Sequence, residues 1–340
     1  QAVKNPASAV AKLIREVDAR QRLALTGTPI ENNLEELWAI YDWVVPGLLG
    51  NRKTFGKSFR HKIEQSGEAS AQQRLATRIR PFLLRRTKEE VAPDLPTKTE
   101  IDEVIRLEGK QRELYETVRV AMDARVREAI ARDGLAATRI TVLDALLKMR
   151  QACCDPQLVK LDAARKVRES AKRTRLLAML EELLAEGRRV LVFSQFVEML
   201  ALIEKDLKAR NIDYALLTGQ TKKRTAVIDR FQSGKVPIFL ISLKAGGVGL
   251  NLTAADTVII FDPWWNPAVE RQAMDRTHRI GQEKPVFVYK LIAEGSVEAA
   301  IQAMQERKQA LADNLFAGTK SGGLGIGESD IDALFAPLGD

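Results

Sequence analysis

The sequence predicts an α/β protein in which a parallel sheet carries helices on both faces, with a largely helical region before it. Two observations predict this. From about residue 165, short apolar runs such as Val190-Leu191-Val192-Phe193 alternate with segments of helical periodicity. A run without polar alternation marks a strand buried on both faces, as in a parallel sheet. Before residue 165, apolar residues recur at helical spacing, and one strand-like run stands out, Leu23-Ala24-Leu25-Thr26. In such a sheet the ligand-binding residues are expected at the carboxyl ends of the strands.

The first strand ends at the turn signal Gly27-Thr28-Pro29, and a helix carrying Leu34, Leu37, Trp38 and Tyr41 follows. Prolines at 93 and 96 force an extended link, because proline restricts its predecessor and lacks an amide donor. In 111–132, Leu114, Val118, Met122, Val126 and Ile130 form one helical stripe, with Gly134 as its stop. A second stripe runs through Val142, Leu146, Leu147 and Met149. Further on, helices near 171–186, 196–210 and 222–233 alternate with strands at 190–193, 214–217, 236–241, 256–261 and 286–292. A last helix carries Val297, Ile301, Met304 and Leu311. The segment Ala317–Gly327, rich in small residues, reads as mobile, with a short amphipathic helix around Ile331, Leu334 and Phe335.

Length and composition bound the rest. A chain of 340 residues exceeds one compact core and suggests about two to three units. No apolar run approaches the roughly 20 residues of a membrane-spanning helix. The N-terminal QAVKNPASAV lacks the apolar stretch of a signal peptide. The formal charge of +8 permits nucleic acid as a partner without requiring it. The two cysteines, Cys153 and Cys154, are adjacent and so are poor disulfide partners, which fits a reducing compartment. With only His61 and His278 besides, no zinc-ligand spacing exists.

Three blocks carry chemistry. The strongest, after strand 256–261, is DPWWNPAVERQAMDRTHRIGQ at 262–282. Arg276 and Arg279 stand three residues apart, on one face of a helix, able to meet one anion with two guanidinium forks. By itself such a pair also describes a solvated surface helix. A second block, Ser242-Leu243-Lys244-Ala245-Gly246-Gly247-Val248-Gly249-Leu250-Asn251-Leu252, starts at a strand's carboxyl end. Glycines there let backbone amides approach phosphates, though a tight turn needs them equally. The third set, Ser194-Gln195-Phe196 and Leu217-Thr218-Gly219-Gln220, supplies small donors at two more strand ends, where helix capping is the plain alternative.

In this order the blocks resemble the helicase motifs of Swi/Snf-type ATPases, members of helicase superfamily two. The resemblance implies a RecA-like second motor lobe, with ATP and Mg2+ bound mainly by a first lobe and double-stranded DNA gripped without regard to sequence. It implies Arg276 and Arg279 as arginine fingers, and Gln272, Gly247 and Gly249 at the nucleotide. Ser194, Gln195, Thr218, Gly219, Ser242, Lys244 and Trp265 fall to DNA contact, with Trp264 left to packing. The family often has arginine where Lys244 stands; the charge survives that change but the bidentate fork does not. Leu25–Asn33 is similar to motif three of the first lobe, and Leu84–Lys98 to the link between lobes.

The implied organisation is the end of the first lobe with a helical protrusion and link at 1–95, and a helical region at 96–164. The second lobe follows at 165–295, a brace-like helix at 296–316 and a flexible tail at 317–340. No phosphate-cradling G-x4-G-K-[ST] is present. The nearest string, Gly50 to Gly56-Lys57-Ser58, has one residue too many and no strand before it. The acidic magnesium box is missing as well, so the chain reads as a piece of a longer motor, inactive as an ATPase alone. The other readings are a non-catalytic DNA-binding or partner-docking module of the same fold, and a dinucleotide enzyme, for which G-x-G-x-x-G fails after Gly249. Compact spacing between blocks favours a prokaryotic source, hence cytoplasm and nucleoid; a eukaryotic source would place it in the nucleus.

Overall fold

A computed structural model describes residues 3–26, 33–64, 66–84, 86, 88–135, 137–162, 164–246, 250–264, 270–271, 274–306 and 328–339. The chain divides into two units, Gln1–Thr87 with Met304–Gly327, and Lys88–Ala303 with Glu328–Asp340.

In the first unit, helices Ala9–Glu16, Leu34–Val44 and Ala69–Ile79 are described, with short helical turns over 52–64. Asn33 caps the second, its side chain accepting from the Glu35 N–H at 2.9 Å. Leu34, Leu37, Trp38 and Tyr41 pack with Phe55, Phe59, Leu75 and Ile79, as their spacing predicts. The predicted strand at 23–26 does not form: 21–26 has no regular structure, and Leu23 and Leu25 are 76% and 83% exposed. A strand needs a neighbouring ladder for its amides, and no described residue supplies one here.

The second unit is built on a six-stranded parallel sheet of order β1-β6-β5-β2-β4-β3. The strands are β1 Lys98–Ile105, β2 Val190–Ser194, β3 Tyr214–Leu217, β4 Ile238–Ser242, β5 Thr257–Ile260 and β6 Val286–Ala293. Alternate residues feed two separate cores. Leu191, Phe193, Phe239, Ile241, Val258 and Ile260 face one layer; Val190, Val192, Ile238, Leu240 and Ile259 face the other. This is why the runs are continuously apolar.

One strand escapes the sequence reading. β1, KTEIDEVI, lies in the region taken as helical and pairs in parallel with β6 at the sheet's edge. Edge strands keep one side wet, so its charged residues hid it. They are used: Glu100 pairs with Lys290 at 2.9 Å and Glu103 with Arg175 at 2.7 Å.

Helix Gly109–Asp133 ends at Gly134 with φ +77°, where glycine adopts a conformation that side chains disfavour. Leu114, Val118 and Val126 of the predicted stripe are buried. The expectation of a mobile tail is corrected over 328–339. Helix Glu328–Leu334 buries Ile331 and Leu334, with Phe335 beyond it, and this stretch is tied to helix Gly109–Asp133. Arg127 pairs with Asp332 at 3.0 Å, Arg119 donates to the Phe335 carbonyl at 3.0 Å, and the Leu338 N–H donates to Glu116 at 2.9 Å. The short amphipathic helix expected around Ile331, Leu334 and Phe335 thus forms, and the small-residue segment Ala317–Gly327 lies outside the described residues.

A buried ion pair ties helix Ala171–Ala185 to the sheet. Lys172 Nζ lies 2.5 Å from Glu298 Oε2, both side chains wholly buried. It also donates to the carbonyls of Phe261 and Leu291 at 3.0 and 2.7 Å. Removing one partner strands the other's charge. Lys172→Met should therefore cost about 3–5 kcal/mol in urea unfolding. Lys172→Met with Glu298→Leu should recover most of it; a double variant as unstable as the single would contradict this account.

Candidate nucleotide and nucleic-acid site

Because the strands are parallel and in register, their carboxyl ends lie along one edge. Ser194 pairs with Ser242 and Leu217 with Ile241. The chain leaves β2 for β3 and β4 on one side, then crosses to β5 on the other, so the edge beside β2 is a switch point.

The residues predicted there differ in what they offer. Ser194 is wholly buried, and its hydroxyl accepts from the Phe196 N–H at 3.1 Å. Thr218 is 8% exposed, and its hydroxyl accepts from the Gln220 N–H at 3.3 Å. Ser242 is also buried. The hydroxyls of Ser194 and Thr218 thus form turns, as the capping alternative expects. Gly219 and Lys244 are exposed, and Gln195 is half-buried. Arg224 ties two of the loops together, its Nη2 donating to the Ala245 carbonyl at 2.8 Å. Gly246 needs to be glycine: a Cβ there would stand 2.9 Å from the Phe193 ring.

Arg276 and Arg279 converge on one atom. Both donate through Nη1 to the carbonyl of Leu250, at 3.4 and 3.1 Å. The Leu252 N–H donates back to the Arg276 carbonyl at 3.0 Å. The pair does not share a helix face, contrary to the expectation from spacing. The helix stops at Met274 and Asp275–Thr277 is a turn. Gln282 fixes that turn, its Nε2 reaching the carbonyls of Thr253, Ala255 and Thr277 at 3.1, 2.8 and 3.1 Å. Sequence reasoning gave Gln282 no role. Arg276 is buried, and desolvation followed by the neighbouring Arg279 charge lowers its pKa. Arg279 is exposed at a cavity of about 400 Å³, lined also by Val91, Ala92, Leu95, Asn251 and Ile280. Two cations held against each other fit an anion such as a triphosphate. No group of three His, Cys, Asp or Glu among the described residues could hold a metal ion. Gln272, Gly247, Gly249 and Trp265 lie outside the described residues.

A second cluster, absent from the sequence reading, sits at the ends of β2 and β5. Asp262 is wholly buried, accepts from the Gln195 N–H at 3.1 Å and lies 3.8 Å from Arg150. Burial lifts its pKa to about 6, against the pull of Arg150. Glu270 accepts from the Trp264 N–H, and burial lifts it to about 7. Trp264 packs against the core, as its assignment to packing predicts. Only a sheet drawn from distant strands brings Arg150, Gln195, Asp262 and Glu270 together.

The fold has known counterparts. A solved Sulfolobus solfataricus SWI2/SNF2 ATPase core in complex with dsDNA is 35% identical, matching 94% of this chain and 67% of its own, with a TM-score of 0.54. A second solved structure, of the Sulfolobus solfataricus SWI2/SNF2 ATPase core domain, is 33% identical over 99% of this chain and 69% of its own, at a TM-score of 0.59. The chain belongs to the SWI2/SNF2 family. The SNF2-related domain model matches residues 1–158 and the helicase conserved C-terminal domain model 172–281. Among curated relatives, an uncharacterized ATP-dependent helicase, MG018 of Mycoplasma genitalium, is 39% identical over 314 residues, 92% of this chain. The chain spans about 29% of that relative's length. The α/β, RecA-like class expected from the SWI2/SNF2 resemblance is the fold observed. No described helix is long and apolar enough to cross a membrane.

Glu270 sets a pH dependence. Its folded pKa of about 7 stands above the ordinary 4.5, so the native state holds its proton longer than the unfolded chain. Stability from this group is full below pH 4.5 and is lost as pH rises towards 7. Glu270→Gln stays neutral throughout and still accepts from Trp264. The variant should match wild type at pH 4.5 and exceed it by on the order of 2–3 kcal/mol at pH 8, since one pKa unit is about 1.4 kcal/mol. Denaturant unfolding at both pH values checks this; parallel pH profiles would count against it.

Proposed function

We propose that this chain provides the second motor lobe of an ATP-driven translocase on double-stranded DNA, together with the end of the first lobe. The observation that carries the reading is the convergence of Arg276 and Arg279 on the Leu250 carbonyl, where the glycine block ends. A shared acceptor pre-aligns two guanidinium groups, so little reorganisation remains when an anion arrives.

ATP supplies a γ-phosphoryl group whose oxygens gain charge during transfer to water. Arg279, exposed and hinged on Leu250, neutralises that charge; Arg276, buried behind it, holds the local field positive. Gln272, Gly247 and Gly249 complete this wall of the nucleotide site. The other wall belongs to a phosphate-cradling loop that this sequence does not carry, so the chain alone turns over no ATP. DNA tracks along the sheet edge, meeting Gly219, Lys244, Gln195 and Trp265. Phosphate contacts give sequence-independent binding that weakens steeply with salt. Cycles of closure on ATP and opening after hydrolysis advance the motor. The dsDNA complex of the related Sulfolobus core supports the choice of ligand.

The first unit supports the split. Val10, Leu13 and Val17 are each more than half exposed, as are Leu23 and Leu25, an apolar surface suited to further sheet.

In the presence of a lobe carrying the phosphate loop, Arg279→Ala should lower DNA-stimulated ATP turnover on the order of a thousandfold. DNA affinity and folding should be kept. Lys244→Ala should instead weaken DNA binding and reduce the salt slope by about one. Steady-state ATPase assays and salt-dependent DNA titrations measure the two. Near-normal turnover in Arg279→Ala removes the finger; failure of wild type to restore turnover in a folded mixture favours a non-catalytic binding module.

A further inference from the structure

Arg150 has no part in the mechanism above, yet it reaches two strand-end turns at once. It stands in the last turns of helix Arg139–Cys154 and is 6% exposed. Nη1 donates to Gln195 Oε1 at 3.0 Å, and Nη2 donates to the Pro263 carbonyl. The same guanidinium lies 3.8 Å from Asp262 and 5.9 Å from the ring centroids of Phe196 and Trp264. Asp262 closes the circuit by accepting the Gln195 N–H. A residue of the helical region thus holds the turns after β2 and β5 in one arrangement.

The chemical consequence falls on Gln195. A side-chain amide has an accepting end and a donating end, and arginine can only donate. Contact with Arg150 therefore commits Oε1 to the guanidinium and leaves Nε2 as the unbonded end. Among the described residues, Nε2 is buried and meets no acceptor. An unmet donor at the ligand edge of a parallel sheet calls for an acceptor from outside, and a backbone phosphate oxygen is one.

We propose that Arg150 is a positioning residue that sets the orientation of the Gln195 amide and so aims a neutral donor at the DNA backbone. The proposal rests on the DNA reading above. Lysine would not replace Arg150, because a point charge lacks the planar fork that holds Gln195 and Pro263 together.

The test is a double-mutant cycle on the full chain: wild type, Arg150→Lys, Gln195→Ala and both. Random-sequence duplex DNA is titrated over a range of salt, and folding is checked by near-UV circular dichroism. Each single variant should bind about fivefold more weakly, the net worth of one hydrogen bond. The double variant should be no weaker than the poorer single. The dependence of affinity on salt should not change, because Arg150 touches no phosphate and Gln195 carries no charge.

Losses that multiply in the double variant show that the two residues act separately, and they overturn the proposal. So does a salt slope reduced by about one in Arg150→Lys, which marks direct phosphate pairing, or wild-type affinity in that variant. If Arg150→Lys unfolds, Gln195→Met decides: it keeps the side chain's length without a donor, and unchanged affinity overturns the proposal. Should wild type bind no duplex at low salt, the DNA reading itself fails; if wild type binds and the cycle is additive, only the role of Arg150 falls.

Discussion

Parallel pairing is the constraint on which the second unit depends. With β2, β3, β4 and β5 aligned in register, four turns emerge on one edge, and whatever chemistry the unit performs is confined to them. Parallel strands also require crossovers, and the helices that make them cover both faces. The inner strands β2, β4 and β5 are therefore apolar, with Ser194, Ser242 and Thr257 only at their ends. The switch of direction beside β2 opens that edge and lets Gln195 and Asp262 meet.

At the edge, polar side chains fall into two kinds. Ser194, Thr218, Gln282 and Arg224 spend their hydrogen bonds on backbone atoms and shape the turns. Arg279 and Lys244 face solvent. The distinction is energetic. A buried hydroxyl or amide left unmet is costly, so most of these groups are committed internally, and ligand contact falls to heads that stay wet or, as with Gln195 Nε2, are left without an acceptor. Arg276 stands between the two kinds, buried but held against a second cation.

The polar cluster around Asp262 shows how far the helical region reaches. Arg150, from a helix outside the α/β pattern, lies among groups whose pKa values burial has raised. A network in which one cation touches two turns couples their positions, because moving either turn breaks contacts to the other. The C-terminal stretch 328–339 is tied to helix Gly109–Asp133, which packs against the helix that carries Arg150.

Local pattern sufficed for the apolar strands, the glycine stop at Gly134 and the motif blocks, because each depends on neighbours within a few residues. Strand β1 lay beyond it, since an edge strand with one wet side carries charges that mimic a helical link. The strand expected at 23–26 needed a ladder that local sequence cannot supply. Arg276 and Arg279 were legible as a pair, but their meeting point at Leu250 was not, because that carbonyl lies 26 and 29 residues away. The sequence by itself determined the family and the kinds of group available. Only the tertiary structure decided which of them are buried and which face out, because burial and hydrogen-bond partners arise from contacts between segments far apart along the chain.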